Sequence, residues 1–215
     1  MGGRNMDNNI ENAAKHRGEE NEELLDIVDE NGEPTGLTAS RGEAHSRGLR
    51  HRTTHLWLIR KRGGHIQLLL QKRSREKDSY PGCFDISSAG HIPAGCGYTG
   101  SAVRELKEEL GIDASPDSFV LIGRRRFEFS SEFHGSVFHD NQVSNVYAMW
   151  YDGDEDTFAP QSSEVEYVKW VDMDECAAFV ADGSVPNCIN QEELDMISTF
   201  VKQNGNPQSG RNEGI

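Results

Sequence analysis

Between Gly90 and Ile112 the chain reads GHIPAGCGYTGSAVRELKEELGI, and its second half gathers the carboxylates Glu105, Glu108 and Glu109. Spaced i, i+3 and i+4, they share one face within a single helical turn. Like charges so close repel by roughly a few tenths of a kcal/mol per pair even on an exposed helix. Such a face is either solvated or neutralised by a cation, and oxygen-only ligands suit a hard divalent ion such as Mg²⁺ or Mn²⁺. Taken alone, a solvated acidic face is the commoner outcome. Ala102, Val103, Leu106 and Leu110 form an apolar stripe rotated away from the carboxylates, so the helix can pack on a core with its acidic edge open. Thr99 or Ser101 is placed to cap its start, and Gly111 followed by Ile112 fits a glycine stop with a hydrophobic residue folded back. Gly90, Gly95, Gly97 and Gly100 make the preceding segment a tightly turned loop that can approach metal or phosphate.

In these residues the chain resembles the Nudix hydrolases, whose signature is Gly-x5-Glu-x7-Arg-Glu-aliphatic-x-Glu-Glu-x-Gly-aliphatic. Gly90, Arg104, Glu105, Leu106, Glu108, Glu109, Gly111 and Ile112 match, and Cys96 stands where the first glutamate belongs. The resemblance implies an α/β fold, an α/β/α sandwich with a mixed β-sheet flanked by helices, over residues 22–203. It implies Mg²⁺ or Mn²⁺ held by Glu105, Glu108, Glu109 and the Gly90 carbonyl, and cleavage of a diphosphate linkage by water attacking phosphorus. Arg104 takes the supporting role, Glu105 and Glu108 are catalytic, and Glu108 is the expected base, with Glu164 as the alternative. In the family the missing glutamate braces the loop, so Cys96 bears on loop rigidity and rate rather than on the metal site.

Composition narrows the partners. A formal charge of −14 over 215 residues argues against a nucleic-acid polymer, whose binding rests on Lys and Arg. A small diphosphate stays compatible, because a bound cation reverses the local sign. No apolar run approaches a membrane span, and the N-terminus lacks a signal-peptide core, so no membrane partner is expected. Cys83, Cys96, Cys176 and Cys188 show no CxxC pair or disulfide framework, which points to the reducing cytoplasm. Oligomeric state is left open, a homodimer included.

Along the chain, residues 1–21 and 204–215 read as polar tails. A strand is expected at Leu24–Val28, a turn at Asn31-Gly32, and a short helix from the capping box Ser40-Arg41-Gly42-Glu43. His45, His51 and His55 lack tetrahedral zinc spacing and read as surface or substrate-facing. Residues 54–59 and 65–71 form a hairpin through Arg62-Gly63-Gly64; Lys72 and Arg73 leave it as a basic cluster suited to phosphate. His91 and Arg126, the latter from the triple arginine 124–126, complete the expected substrate contacts. A strand at Phe84–Ser88 delivers the chain to Gly90, and Val120–Phe129 reads as a strand or a bent pair. Ser130–Gln142, including His134, reads as a polar loop over the site; strands at 143–151 and 164–171 and helices from Met173 and Asn190 follow.

The segments LLDIVDENGEPTG, HSRGLRHR and LLLQKRSREKDSYPGCFDISSAGHI resemble the branch close to type I isopentenyl diphosphate isomerase. That enzyme needs a cysteine just before the Gly-His pair, where this chain has Ala89, and two acids where this chain has Asp140 and Gln142. Without the proton donor the resemblance implies a hydrolase rather than an isomerase, with nucleoside diphosphate derivatives among the substrates. A weakly active binding module on the same scaffold is the remaining alternative, argued by Cys96.

Overall fold

Alternation along two adjacent strands sets the layers. In β3 (His51–Arg62) and β4 (His65–Arg73), Leu56, Leu58 and Leu69 face one side; Trp57, Ile59, Leu68 and Leu70 face the other, all essentially without solvent contact. A sheet buried on both faces needs a cover on each. The computed structural model describes residues 23–77, 79–133 and 135–205. The expected tail at 1–21, most of that at 204–215, and His134 lie outside them, while Asn204 itself ends the last helix.

The main sheet runs β5-β4-β3-β8-β7, where β5 is Phe84–Asp85, β7 Val120–Phe133 and β8 Ser136–Trp150. β6 (Ser88–His91) adds to β3, and β9 (Val165–Asp172) adds to β4. β3 and β8 are parallel and the other pairs antiparallel, so the sheet is mixed. Helix α2 (Tyr98–Leu110) covers the first face through Ala102, Leu106 and Leu110. Helices α3 (Met173–Asp182) and α4 (Gln191–Asn204) cover the second through Cys176, Phe179, Leu194, Ile197 and Phe200. This is the expected α/β/α sandwich. A separate ribbon of β1 (Leu24–Val28) and β2 (Pro34–Ser40) leads into α1 (Arg41–Arg47), capped by the Ser40 side chain accepting from Glu43 N. Among the described residues no helix is long and apolar enough to cross a membrane.

Three local expectations fail. The single strand at Phe84–Ser88 breaks at Ile86-Ser87 into β5, which pairs with β4, and β6, which pairs with β3. Ser130–Phe133 and Ser136–Gln142 are not loop but the far end of the β7–β8 hairpin, paired from Phe129↔Asp140 to Phe133↔Ser136. Ser130 and Glu132 are exposed strand positions, which need no apolar side chain, whereas Phe138, Asp140 and Gln142 turn to the cavity. Helix α2 begins earlier than Thr99, with Gly97 at its N-cap and no side-chain cap; Thr99 Oγ1 instead meets the Tyr147 hydroxyl at 3.1 Å. The expected stop holds, with Gly111 at φ +74° and Ile112 buried in the core.

Candidate functional site

A cavity of about 360 Å³ opens where β6 passes into α2, and Gly90, Glu105, Glu108 and Glu109 line it together. Gly90 pairs with Thr54 across the sheet, and a Cβ built there would overlap the Glu105 carboxylate. Only a glycine lets strand and carboxylate approach so closely. Arg104 organises the acidic face: its guanidinium donates to Glu105 Oε1 at 2.7 Å, to Glu108 Oε2 at 2.9 Å and to the His91 carbonyl at 3.3 Å. Glu109 is buried, and its Oε2 accepts weakly from Ala89 N at 3.3 Å and Gln71 Nε2 at 3.4 Å.

Burial drives the carboxyl of Glu105 up to about 7, against the pull of Arg104, and that of Glu109 up to about 8. Two buried carboxyls so disfavoured as anions, with a third beside them, make a donor set that a divalent cation would relieve. The residues present therefore fit a hard metal ion. Gly90→Ala is expected to displace Glu105 and lower turnover by about 10²-fold, the scale of an ångström-sized misplacement. Steady-state kinetics beside a thermal melt check it, with folding preserved.

Three imidazoles meet at the next position. His45, His51 and His91 bring ligand atoms within 4.8 Å of one another. His45 Nδ1 donates to the His139 carbonyl at 3.2 Å, and its Nε2 lies 3.0 Å from His91 Nε2. His51 Nδ1 donates to the Leu49 carbonyl at 2.9 Å, leaving Nε2 as a bare acceptor. That atom faces Asp140 Oδ1 at 3.9 Å, and both are buried with no hydrogen-bond partner among the described residues. Burial holds His51 below the usual imidazole value; burial and the charges of Arg41, His51, His45 and Lys77 hold His91 well below it. His51 and His91, held toward their neutral forms beside the Asp140 carboxyl, suit a borderline cation such as Mn²⁺ or Zn²⁺. Of the surface or substrate-facing expectation, the surface reading is corrected for His45 and His51, which are buried, while His45 lines the cavity. His55 joins a different group.

The basic residues divide. Arg73 reaches the cavity, but its guanidinium is committed to Asp85 at 2.8 Å and to the Ser79 carbonyl at 2.9 Å, holding the turn after β4. Lys72 is not at the cavity: it points to the opposite side of β4 and lies 4.5 Å from the Phe84 ring centre. Arg126 likewise lies outside the cavity lining, exposed and donating to Asn31 Oδ1 at 3.3 Å. Its neighbour Arg125 turns inward and pairs with Glu193 of α4, which also accepts from His55 Nδ1 at 2.8 Å and Trp57 Nε1 at 2.9 Å. His55, Arg125 and Glu193 floor the cavity. Sequence reading missed this trio, because nothing local ties residue 193 to residues 55 and 125. Glu164 lines the mouth in an ion pair with Lys77.

The NUDIX domain family model matches residues 49–187. An uncharacterized Nudix hydrolase of Clostridium acetobutylicum is 38% identical over 159 residues, 74% of each chain. Nudix hydrolase 3 of Arabidopsis thaliana is 39% identical over 178 residues, 80% of this chain but 22% of that protein. Among solved structures, DR0079 from Deinococcus radiodurans superposes with a TM-score of 0.59 at 20% identity, covering 83% of this chain and 99% of its own, a likeness of fold.

Proposed function

The chain belongs to the NUDIX domain family, and on that footing we propose that its cavity hydrolyses a diphosphate linkage of the nucleoside diphosphate-X type, with Mg²⁺ or Mn²⁺. It is a Nudix hydrolase enzyme; the linkage, the ion and the residues are the proposal. The observation that carries it is the convergence of Glu105, Glu108 and Glu109 on Gly90 in one cavity, with two of the carboxyls disfavoured as anions by burial. The carboxylates suit Mg²⁺ and the histidine–Asp140 group suits Mn²⁺. A bound divalent cation would offset charge on the diphosphate oxygens and make an attacking water more acidic.

The chain's own residues supply the rest. Arg104 holds the Glu105 and Glu108 carboxylates through separate guanidinium nitrogens. Glu108, half-exposed at the cavity edge, takes the proton from the attacking water. Arg41 and Lys77 line the same cavity and favour an anionic substrate. The group beyond the diphosphate meets a polar floor of His55, Arg125 and Glu193 with Phe127 and Phe138 at its side, a lining suited to a hydrogen-bonding ring system.

The branch resembling type I isopentenyl diphosphate isomerase belongs to the same proposal, as ancestry rather than activity. Ala89 lines the cavity with a methyl group where that chemistry needs a proton donor. A panel of nucleoside diphosphate derivatives, nucleotide sugars, coenzymes and short prenyl diphosphates, incubated in ¹⁸O-labelled water with Mg²⁺ or Mn²⁺, tests the reading. One labelled oxygen is expected in a phosphate product, and chelation by EDTA is expected to abolish turnover. Undiminished hydrolysis in EDTA, or a shifted double bond in isopentenyl diphosphate with no hydrolysis, would overturn it.

A further inference from the structure

We infer that Asp26 and Arg52, an ion pair outside the motif, are positioning residues that clamp the β6–α2 loop and so set where the carboxylates of α2 stand. This rests on the metal-dependent reading of the site. The loop from Ile92 to Gly97 joins the Gly90 carbonyl to the first turn of α2, so its path fixes one against the other. Its backbone is tied to β1 and β3 at several points. Ile92 N donates to the Arg52 carbonyl at 3.1 Å, Ala94 N to the Leu24 carbonyl at 2.8 Å, and Cys96 N closes a turn on Pro93 O at 3.0 Å. Two further groups are claimed by side chains. Asp26 Oδ2 accepts from Gly95 N at 2.8 Å, and Arg52 Nη2 donates to Cys96 O at 3.0 Å.

Asp26 and Arg52 are bound to each other through the same atoms, Nη2 to Oδ2 at 2.8 Å, with side chains only 14% and 10% exposed. One guanidinium nitrogen and one carboxylate oxygen thus close a ring with two consecutive loop residues. Arg52 also lies 5.4 Å from the ring centre of Tyr98, the first residue of α2. Gly95 takes φ +76°, a conformation open to glycine, which turns its N–H toward Asp26. The Cys96 side chain, by contrast, is exposed. Position 96 contributes a carbonyl to the clamp, and a carbonyl is common to every residue. That is a physical reason why the motif position at which this chain departs tolerates cysteine: bracing comes from the β1–β3 side of the loop.

Asp26→Asn keeps the shape and removes the charge; Arg52→Lys keeps the charge and removes the planar fork that spans Asp26 and Cys96. Each is expected to lower kcat about 10-fold and to weaken Mn²⁺ binding, measured calorimetrically without substrate, by about 10-fold, the lower end of outer-shell effects. KM is expected to stay within about twofold, since neither residue lines the cavity, and the Gly95 amide to exchange faster with solvent. Cys96→Glu is expected to change kcat by less than about threefold, because the bracing role is already filled. Unchanged kcat and Mn²⁺ affinity in both clamp variants, or a tenfold gain in Cys96→Glu, would overturn the inference. With turnover abolished by EDTA in the same assay, such a result leaves the site reading standing; turnover undiminished by EDTA defeats that reading instead.

Discussion

Glu108→Gln is expected to lower kcat for diphosphate hydrolysis by about 10³-fold at saturating Mg²⁺, within the span seen when a positioned base is removed. The size follows from what the substitution leaves in place. Glutamine is isosteric and still offers an oxygen to Arg104, which sits 2.9 Å from Glu108 Oε2. The Glu108 side chain is 51% exposed and on the surface edge of α2, so the core beneath it, Leu106 and Leu110, is untouched. What disappears is a group able to take a proton. Glu105 and Glu109 differ in kind: both are largely buried, and substituting them is expected to weaken metal binding first and turnover as a consequence. Glu164, the alternative base, is engaged by Lys77, so Glu164→Gln is expected to cost less than about tenfold. Steady-state kinetics of both variants decide between them; a full loss in Glu164→Gln with Glu108→Gln nearly unaffected would reverse the assignment.

Where the sequence was legible, a short-range period carried the information. The strands at Leu56–Ile59 and Leu68–Leu70 lie in apolar runs, and the carboxylates of α2 in a 3.6-residue spacing with a glycine at each end, so both were readable from neighbours alone. Arg124, Arg125 and Arg126 defeat the same method. A strand turns alternate residues to opposite faces, but three identical side chains give no sign of which one faces in, and the inward one is Arg125. The histidines fail for a different reason. His45 and His51 flank the α1–β3 turn and meet His91 only because β6 pairs with β3, placing His91 opposite Thr53. Such a cluster is a product of sheet register, which becomes visible only once the strands are paired. The loop clamp is of the same type: residues 26, 52 and 95 share no local pattern and meet through tertiary packing.

Glu193 shows most plainly how a long-range contact becomes energetically decisive. It sits on α4 at 1% exposure and reaches across the layer to Trp57 and His55 on β3 and Arg125 on β7. Burial alone would raise its carboxyl, but the charges and hydrogen bonds of His55, Arg125 and Trp57 outweigh it and bring it down from 4.5 to about 2. Because the folded value lies below the unfolded one, the unfolded chain binds the proton more readily as pH falls. The stabilisation is therefore complete above about pH 4.5 and is lost progressively as pH drops toward 2. A shift of that size corresponds to about 3 kcal/mol, and removing one member of a buried charged group costs about 3–5 kcal/mol by leaving the others uncompensated. Glu193→Ala is accordingly expected to lose about 3–5 kcal/mol at pH 7, enough to bring a domain of ordinary stability close to unfolding. Glu193→Gln keeps the packing and is expected to lose less at pH 7, and to show a flatter stability curve between pH 4.5 and 2.5, since the titrating group is gone. Urea unfolding of the three proteins at pH 7 and pH 3 measures both effects. Parallel pH profiles for the unaltered protein and Glu193→Gln would mean that the acid-sensitive charge of the fold lies elsewhere.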